Sequence, residues 1–596
     1  MRRGSSHLRQ LPFLRYDDDL GMPREHPRAR GQQTCAQPVH VLPAEGGQGP
    51  RRRQRTPAAD ARRRTKSVRR VVQEVGCQVF RLPSCRQPGD RATRQPMKVV
   101  FAILSGLLFA FAFPNVAIGW LIFIAFVPLF IALARAKSWR EAFALGWISQ
   151  TIAWLLMVPW VVRVMSHYGG LPYITGVLIF VGMCIILGFY GGAFGVLVFR
   201  IAPGDEFHRW LLAPLAWAAI EYARTYLLTG FPWNLIAAAI VDYTPLAQFD
   251  RVAGPYALAV LMLLPSATIC WIIMARPRGM RLVAVVAPVT ILCFVWWSTG
   301  IVASKLIPRP RVGPTYTAAL LQPNISQEMR WDSASLSAIF QRMMDMTDTA
   351  IRSGASVIIW PESTVPLSYS STDFFRHAIE SVSRQAAVDI ILGSVAEDAA
   401  APNRMWNAAF LVSAGTTVGH YDKIRLVPFG EYVPLRRMLF FARKLVRAVG
   451  DFEFGKKDTP LIGLLRYGPA ICYEIVFPQI PRTQVVHGAD VLVTITNDAW
   501  YDGTSAPRQH LNQARLRAIE TDRYLLRAAT TGISAFVDPT GRVIEELPMN
   551  RQGLIYAHFQ PRHSTTLYVR FGDWFAWIAC AIVAVSVLRH ERRDTH

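Results

Sequence analysis

The chain has 596 residues, is 52% hydrophobic and carries a formal charge of +24. The charge is unevenly placed: residues 1–96 hold 21 Lys+Arg against 8 Asp+Glu, and the remaining 500 hold 44 against 33. A charge confined mostly to a tail and to short loops excludes a nucleic-acid-binding protein as the reading of the whole chain.

Residues 1–96 include Arg51-Arg52-Arg53-Gln54-Arg55 and Arg62-Arg63-Arg64, are rich in Pro, Gly and Gln, and show no sustained apolar period. Such a composition buries too little apolar surface to offset its ordering entropy. The expectation is a basic disordered extension, or sequence upstream of a true start at Met97. Binding of anionic lipid or nucleic acid by the tail is the alternative. Met97-Lys98 opens an apolar run, and a second hydrophobic stretch follows almost without a gap, unlike a cleaved signal peptide.

From Val99 onward the apolar runs approach membrane length, roughly 17–25 residues each. Eight spans are expected, near 98–113, 116–134, 142–163, 172–199, 210–228, 254–275, 282–303 and 572–588. Alternate loops carry Arg135, Lys137 and Arg140; Arg200 and Arg209; Arg276, Arg278 and Arg281; and Arg589, Arg592 and Arg593, while 114–118 and 229–250 have no Lys or Arg. The positive-inside bias then places both termini in the cytoplasm and the segment after the seventh span on the opposite face. The expected order is a basic extension (1–96), seven membrane helices (97–305), an exported domain (306–565), and a last helix with its tail (566–596). Within the fifth span Glu221 and Arg224 are i,i+3 neighbours, so either they pair or they meet lipid headgroups.

The exported segment changes character. Tyr316–Gln322, Ser356–Trp360, Asp389–Gly393, Leu464–Ile471 and Val491–Thr496 read as strands, and 333–353, 373–387 and 507–525 have helical spacing. Strands alternating with helices indicate a layered α/β domain large enough for its own core. Leu435–Val446 sets apolar residues at helical spacing beside Arg436, Arg437, Arg443 and Lys444, a basic amphipathic helix suited to a headgroup surface or to packing on the domain. No Cys/His cluster has metal-ligand spacing, and His420, His487 and His510 read as structural.

Three blocks carry chemistry. Glu362 follows a buried strand, a position suited to a general base or to an ordinary strand-end cap. Lys423 supplies positive charge for an oxyanion or is a solvated lysine, with Glu431 eight residues on. Cys472 ends a strand and is the only cysteine between Val295 and Trp577. A lone cysteine there has no disulfide partner within its domain and is either a reactive thiol or a small core residue.

The order Glu, Lys, Cys resembles the nitrilase (carbon–nitrogen hydrolase) superfamily, whose fold is an α-β-β-α sandwich. Seven spans, such a domain and one final span resemble the apolipoprotein N-acyltransferase family of bacterial inner membranes. Gly230-Phe-Pro-Trp-Asn234, Gln322-Pro-Asn324, Trp360-Pro-Glu362, Val427-Pro-Phe-Gly-Glu-Tyr432, Cys472-Tyr-Glu474 and Thr496-Asn-Asp-Ala-Trp500 carry the likeness. Tyr501-Asp502-Gly503 departs from the family's Phe-Gly-Asp order. The resemblance implies Glu362 as base, Lys423 as oxyanion stabiliser and Cys472 as nucleophile. It further implies that Glu431 and Glu474 support them, and that Tyr473, Asn407 and Trp331 line the pocket. Also implied are a phospholipid donor, a cysteine thioester, a diacylglyceryl-cysteine apolipoprotein acceptor, a periplasmic catalytic domain, a monomer, and no metal or other cofactor. A membrane-anchored amidase, in which water resolves the thioester, and a polytopic binding protein are the competing readings.

Overall fold

The computed structural model describes residues 91–202, 205–307, 313–398, 401–432 and 452–594. The basic tail through residue 90 and the expected amphipathic helix at 435–446 lie outside the described residues.

Each of the eight expected apolar stretches falls on helix. The main ones are α1 (Arg91–Phe111), α2 (Trp139–Met157), α3 (Tyr173–Arg200), α4 (Glu206–Tyr226), α5 (Asp250–Ala275) and α6 (Met280–Leu306). The count of eight spans is nevertheless not met. Among the described residues only α3, α5 and α6 are long and apolar enough to cross a bilayer, or four spans if α2 and the bent continuation Trp160–Tyr168 count as one. The reasons are local. The apolar helices at Pro96–Phe111, Gly119–Ala134 and Trp574–Arg589 are shorter than a span, and α4 carries Glu206, Arg209, Glu221 and Arg224. The chain bends by 56° between Met157 and Trp160, where Pro159 supplies no amide hydrogen. Glu221 and Arg224 do pair, at 3.6 Å, and both reach the loop after α4. Arg224 donates to the carbonyls of Phe231 and Trp233, and Glu221 accepts from the Ile236 amide.

The α/β region is a sandwich of two six-stranded sheets. One has the order β12-β1-β2-β3-β4-β5, comprising Gly553–Phe559, Tyr316–Gln322, Val357–Ile359, Asp389–Asp398, Ala401–Ser413 and Thr416–Asp422. The other has the order β11-β10-β9-β8-β7-β6, comprising Val543–Leu547, Ser534–Val537, Leu525–Ala529, Val491–Thr496, Arg466–Ile471 and Leu461–Ile462. β1, β2 and β3 run parallel, as do β7, β8 and β9. Strand alternation builds the layers. Ala318, Leu320, Val357 and Ile359 point between the sheets toward Val493, Ile495 and Leu526. Their neighbours Ala319, Leu321 and Ile358 meet Ile339, Met343, Phe375 and Ile379 of α7 (Leu336–Arg352) and α8 (Asp373–Ala386). On the far side of the second sheet, α9 (Gln479–Val486) and α10 (Ala506–Thr521) complete the α-β-β-α order. Their apolar residues join one continuous core with α1 to α5, so α10 is buried on every face.

The expected helix at 507–525 stops earlier than its apolar pattern implied. Asp522 adopts φ +55° and Leu525 already opens β9.

Candidate active site

Backbone geometry presents three side chains at one end of the sandwich. Lys423 directly follows β5, Cys472 directly follows β7, and Glu362 lies three residues past β2. Glu362 is 6% exposed, Lys423 1% and Cys472 6%. The solvated-lysine reading of Lys423 is therefore excluded.

Cys472 sits at φ +52°, in the left-handed region, where a non-glycine residue costs about 1–2 kcal/mol. A helical turn over Cys472–Val476 follows at once, so the thiol stands at a sharp strand-to-turn corner. Glu474 holds that corner. Its carboxylate accepts from the backbone amides of Ile471, Ile424 and Arg425 and from the Tyr421 hydroxyl, joining the cysteine turn to the segment after Lys423. Burial lifts Glu474 to about 7, against the pull of those donors.

Glu362 is held from three directions. One oxygen accepts from Asn407 at 2.7 Å and from Lys423 at 3.2 Å, and the other from the Asn497 amide at 2.9 Å. Glu431 accepts from the other Asn407 N–H and from Lys423, both at 2.8 Å, and is itself oriented by the Val427 amide. The backbone approach is tight, because a Cβ on Gly393 of β3 would lie 2.6 Å from the Glu362 Cα.

The charge states follow from these contacts. Burial opposes ionisation of Glu362, but Lys423 and the Asn407 and Asn497 donors outweigh it and hold the carboxyl below its ordinary range. Burial works against the charge on Lys423 too, yet Glu362, Glu431 and Cys472 keep it protonated. Burial and the neighbouring Glu362 carboxylate push the Cys472 thiol well up, with Lys423 opposing. At rest the site holds a carboxylate, an ammonium and a neutral thiol. A carboxylate beside a thiol and an ammonium can accept a proton, release a nucleophile and steady a developing oxyanion.

The other expected residues are distributed around this centre. Asn407, from β4, lies between the two glutamates and donates to both. Tyr473 faces the loop after α4, its hydroxyl 3.3 Å from the Gly230 carbonyl and its ring stacked on Trp233 at 6.5 Å. Trp331 stays half-exposed, in edge contact with Tyr168 and Trp500. Among the described residues no group of three or more His, Cys, Asp and Glu is placed to hold a metal ion.

Gln509 is not singled out by the sequence, and His510 reads there only as structural. Gln509 of α10 accepts from the indoles of Trp233 and Trp160 and donates to the carbonyls of Pro114 and Met157. Next to it, His510 contacts the Cys472 carbonyl. The segment Thr496–Trp500 had stood out as a motif, but its spacing does not reveal that the Asn497 amide reaches Glu362.

Comparison with known families matches both halves in this order. The Apolipoprotein N-acyltransferase N-terminal domain family matches residues 105–268, and the Carbon-nitrogen hydrolase family matches 317–567. An apolipoprotein N-acyltransferase of Geobacter metallireducens is 34% identical over 510 residues, covering 83% of this chain and 96% of that protein. One from Methylococcus capsulatus is 31% identical over 500 residues, covering 83% and 96%. Matched along nearly the whole length of these relatives, membrane helices and sandwich alike, the chain belongs to the apolipoprotein N-acyltransferase family.

Proposed function

We propose that the protein transfers a fatty acyl group from a phospholipid to the N-terminal amine of apolipoproteins through a thioester on Cys472. The family supports the N-acyl transfer. The observation that carries the residue assignment is the buried contact of Glu362, Lys423 and Glu431 at the corner where Cys472 stands.

In the first half-reaction the Cys472 sulfur attacks the ester carbonyl while its proton passes to Glu362. The oxyanion forms beside the Lys423 ammonium and the leading amides of the Cys472–Val476 turn, which have no partner within that turn. The intermediate collapses, the C–O bond breaks, and the lysophospholipid leaves with the proton from Glu362. In the second half the α-amine of a diacylglyceryl-cysteine attacks the thioester. Glu362 takes the amine proton, the C–S bond breaks, and the proton returns to sulfur as the amide departs. Glu431 and Asn407 orient Lys423 and Glu362, Glu474 holds the corner, and Tyr473 and Trp331 border the lipid route. No step calls for a metal or nucleotide.

The same reading sets the apolar helices of 97–305 and the last helix in a bacterial inner membrane. The domain at 306–565 then lies in the periplasm, both termini lie in the cytoplasm, and one chain suffices. Amidase chemistry is not favoured, since water as acceptor would leave the matched N-terminal domain without a role.

A direct test offers the purified protein a fluorescent phospholipid and a synthetic diacylglyceryl-cysteinyl peptide. Acylated peptide formed with parallel-line, ping-pong kinetics is expected. Free fatty acid as the sole product would overturn the reading.

A further inference from the structure

We propose that His510 is a positioning residue for the nucleophile, its Nε2–H holding the Cys472 carbonyl and locking the left-handed corner that aims the thiol. This role rests on the acyl-transfer reading of Cys472 and adds to it a residue that never touches substrate.

The geometry begins with a buried group that acyl transfer does not use. Behind the cysteine corner lie Asp498, His510 and Arg527, all fully or almost fully buried. Arg527 donates to Asp498 at 2.7 Å, and the Thr496 hydroxyl donates to the other Asp498 oxygen at 2.8 Å. Arg527 also lies 3.1 Å from His510 Nδ1. A guanidinium has no acceptor, so Nδ1 receives that hydrogen bond and the ring proton sits on Nε2. Nε2 is 3.0 Å from the Cys472 carbonyl oxygen, which can only accept. The second Nδ1 neighbour, Asp498 Oδ1, lies farther off at 3.3 Å and accepts from Thr496 at 2.8 Å. Burial and the adjacent Arg527 cation both hold His510 below its ordinary range, in keeping with a neutral ring.

The imidazole is fixed on its flat face as well. Trp233, from the loop after α4, stacks on it with ring centres 5.6 Å apart and planes 29° from parallel. The groups facing His510 are thus Arg527, Asp498, Trp233 and the Cys472 backbone. Their arrangement fixes the ring's position, tautomer and plane. A histidine present only to fill core would need no single tautomer. This one is directed by a buried arginine toward the carbonyl of a residue whose own φ is +52°.

Two substitutions separate positioning from filling. His510→Gln keeps a donor close to where Nε2 lies, and His510→Asn, one methylene shorter, withdraws it. In the full-length protein, alkylation of Cys472 by iodoacetamide is followed by peptide mass spectrometry, together with acylation by phospholipid. The Gln variant is expected to keep both rates within about threefold of the parent. The Asn variant is expected to lose roughly tenfold in both, the rate equivalent of one hydrogen bond. Equal rates in the two variants would overturn the role, and so would failure of the Gln variant to fold. If the parent alkylates but never acylates, the acyl-transfer reading fails, while the contrast in alkylation still decides the part His510 plays.

Discussion

Lys423 Nζ lies 2.8 Å from Glu431 and 3.2 Å from Glu362, so the ammonium leans toward the glutamate that is not beside the thiol in the proposed scheme. Two carboxylates around one buried ammonium keep it charged, and Glu431 fixes its position. Lys423→Met leaves both carboxylates with only Asn407 between them. Acyl-enzyme formation should fall roughly 100- to 1000-fold, the scale of losing one oxyanion donor. Stability should fall by roughly 3–5 kcal/mol, the scale of orphaning a buried charge. Glu431→Gln still accepts from Lys423 and should lose less on both counts. Single-turnover acylation and thermal midpoints check the order.

Glu474 ties the cysteine corner to the segment after Lys423 through four donors. Glu474→Gln replaces one oxygen with an NH2 group, which must face either the Ile471 amide or the amides of Ile424 and Arg425. An unmet buried donor costs roughly 1–3 kcal/mol. The thermal midpoint should fall and acylation with it, because the thiol and the ammonium lose their shared brace. Unchanged values for both would show that the corner holds itself.

Trp233 belongs to the apolar half and Gln509 to the sandwich half, and their hydrogen bond is 2.8 Å long. Trp233→Phe keeps a stacking ring, and Gln509 still accepts from Trp160. A loss of about 1 kcal/mol in stability is expected. Trp233→Ala empties a buried site and should cost roughly 3–5 kcal/mol. Thermal unfolding in detergent distinguishes the two.

Acid stability should depend on Asp498. Burial favours its neutral form, but the Arg527 cation and the Thr496 hydroxyl prevail and draw it down from 3.8 to about 2. Because the folded value is depressed, its contribution is fully present above about pH 4 and is lost as pH falls toward 2. One shift of this size is worth about 2 kcal/mol. Asp498→Asn should be less stable at neutral pH and should show a shallower decline between pH 4 and pH 2. Thermal midpoints measured across that interval provide the check.

The sequence disclosed the strands whose both faces are buried. Tyr316–Gln322 and Val491–Thr496 are continuous apolar or β-branched runs, and both appear within those limits. The β4–β5 hairpin went unseen, since Ala401–Asn407 carries Pro402, Asn403 and Arg404 at its start, and Thr416–Asp422 is half-exposed and polar. The membrane count was misjudged because apolar composition is blind to breaks. Pro159 and the short helices between Gly119 and Ala134 divide runs that read as continuous. Glu362, Lys423 and Cys472 were legible as candidates because each lies in a distinctive word. His510 was not, for a lone histidine carries no mark of the carbonyl that the fold brings to it. Only the packing of α10 against the Cys472–Val476 turn does that.

In the proposed scheme Cys472 carries the acyl group, and intact-protein mass spectrometry after incubation with phospholipid, without acceptor, reads that out. A mass increase of one fatty acyl group is expected, removed by hydroxylamine, absent in Cys472→Ala and strongly reduced in Glu362→Gln. An adduct that persists in Cys472→Ala, or no adduct on folded wild-type protein in lipid, would contradict it.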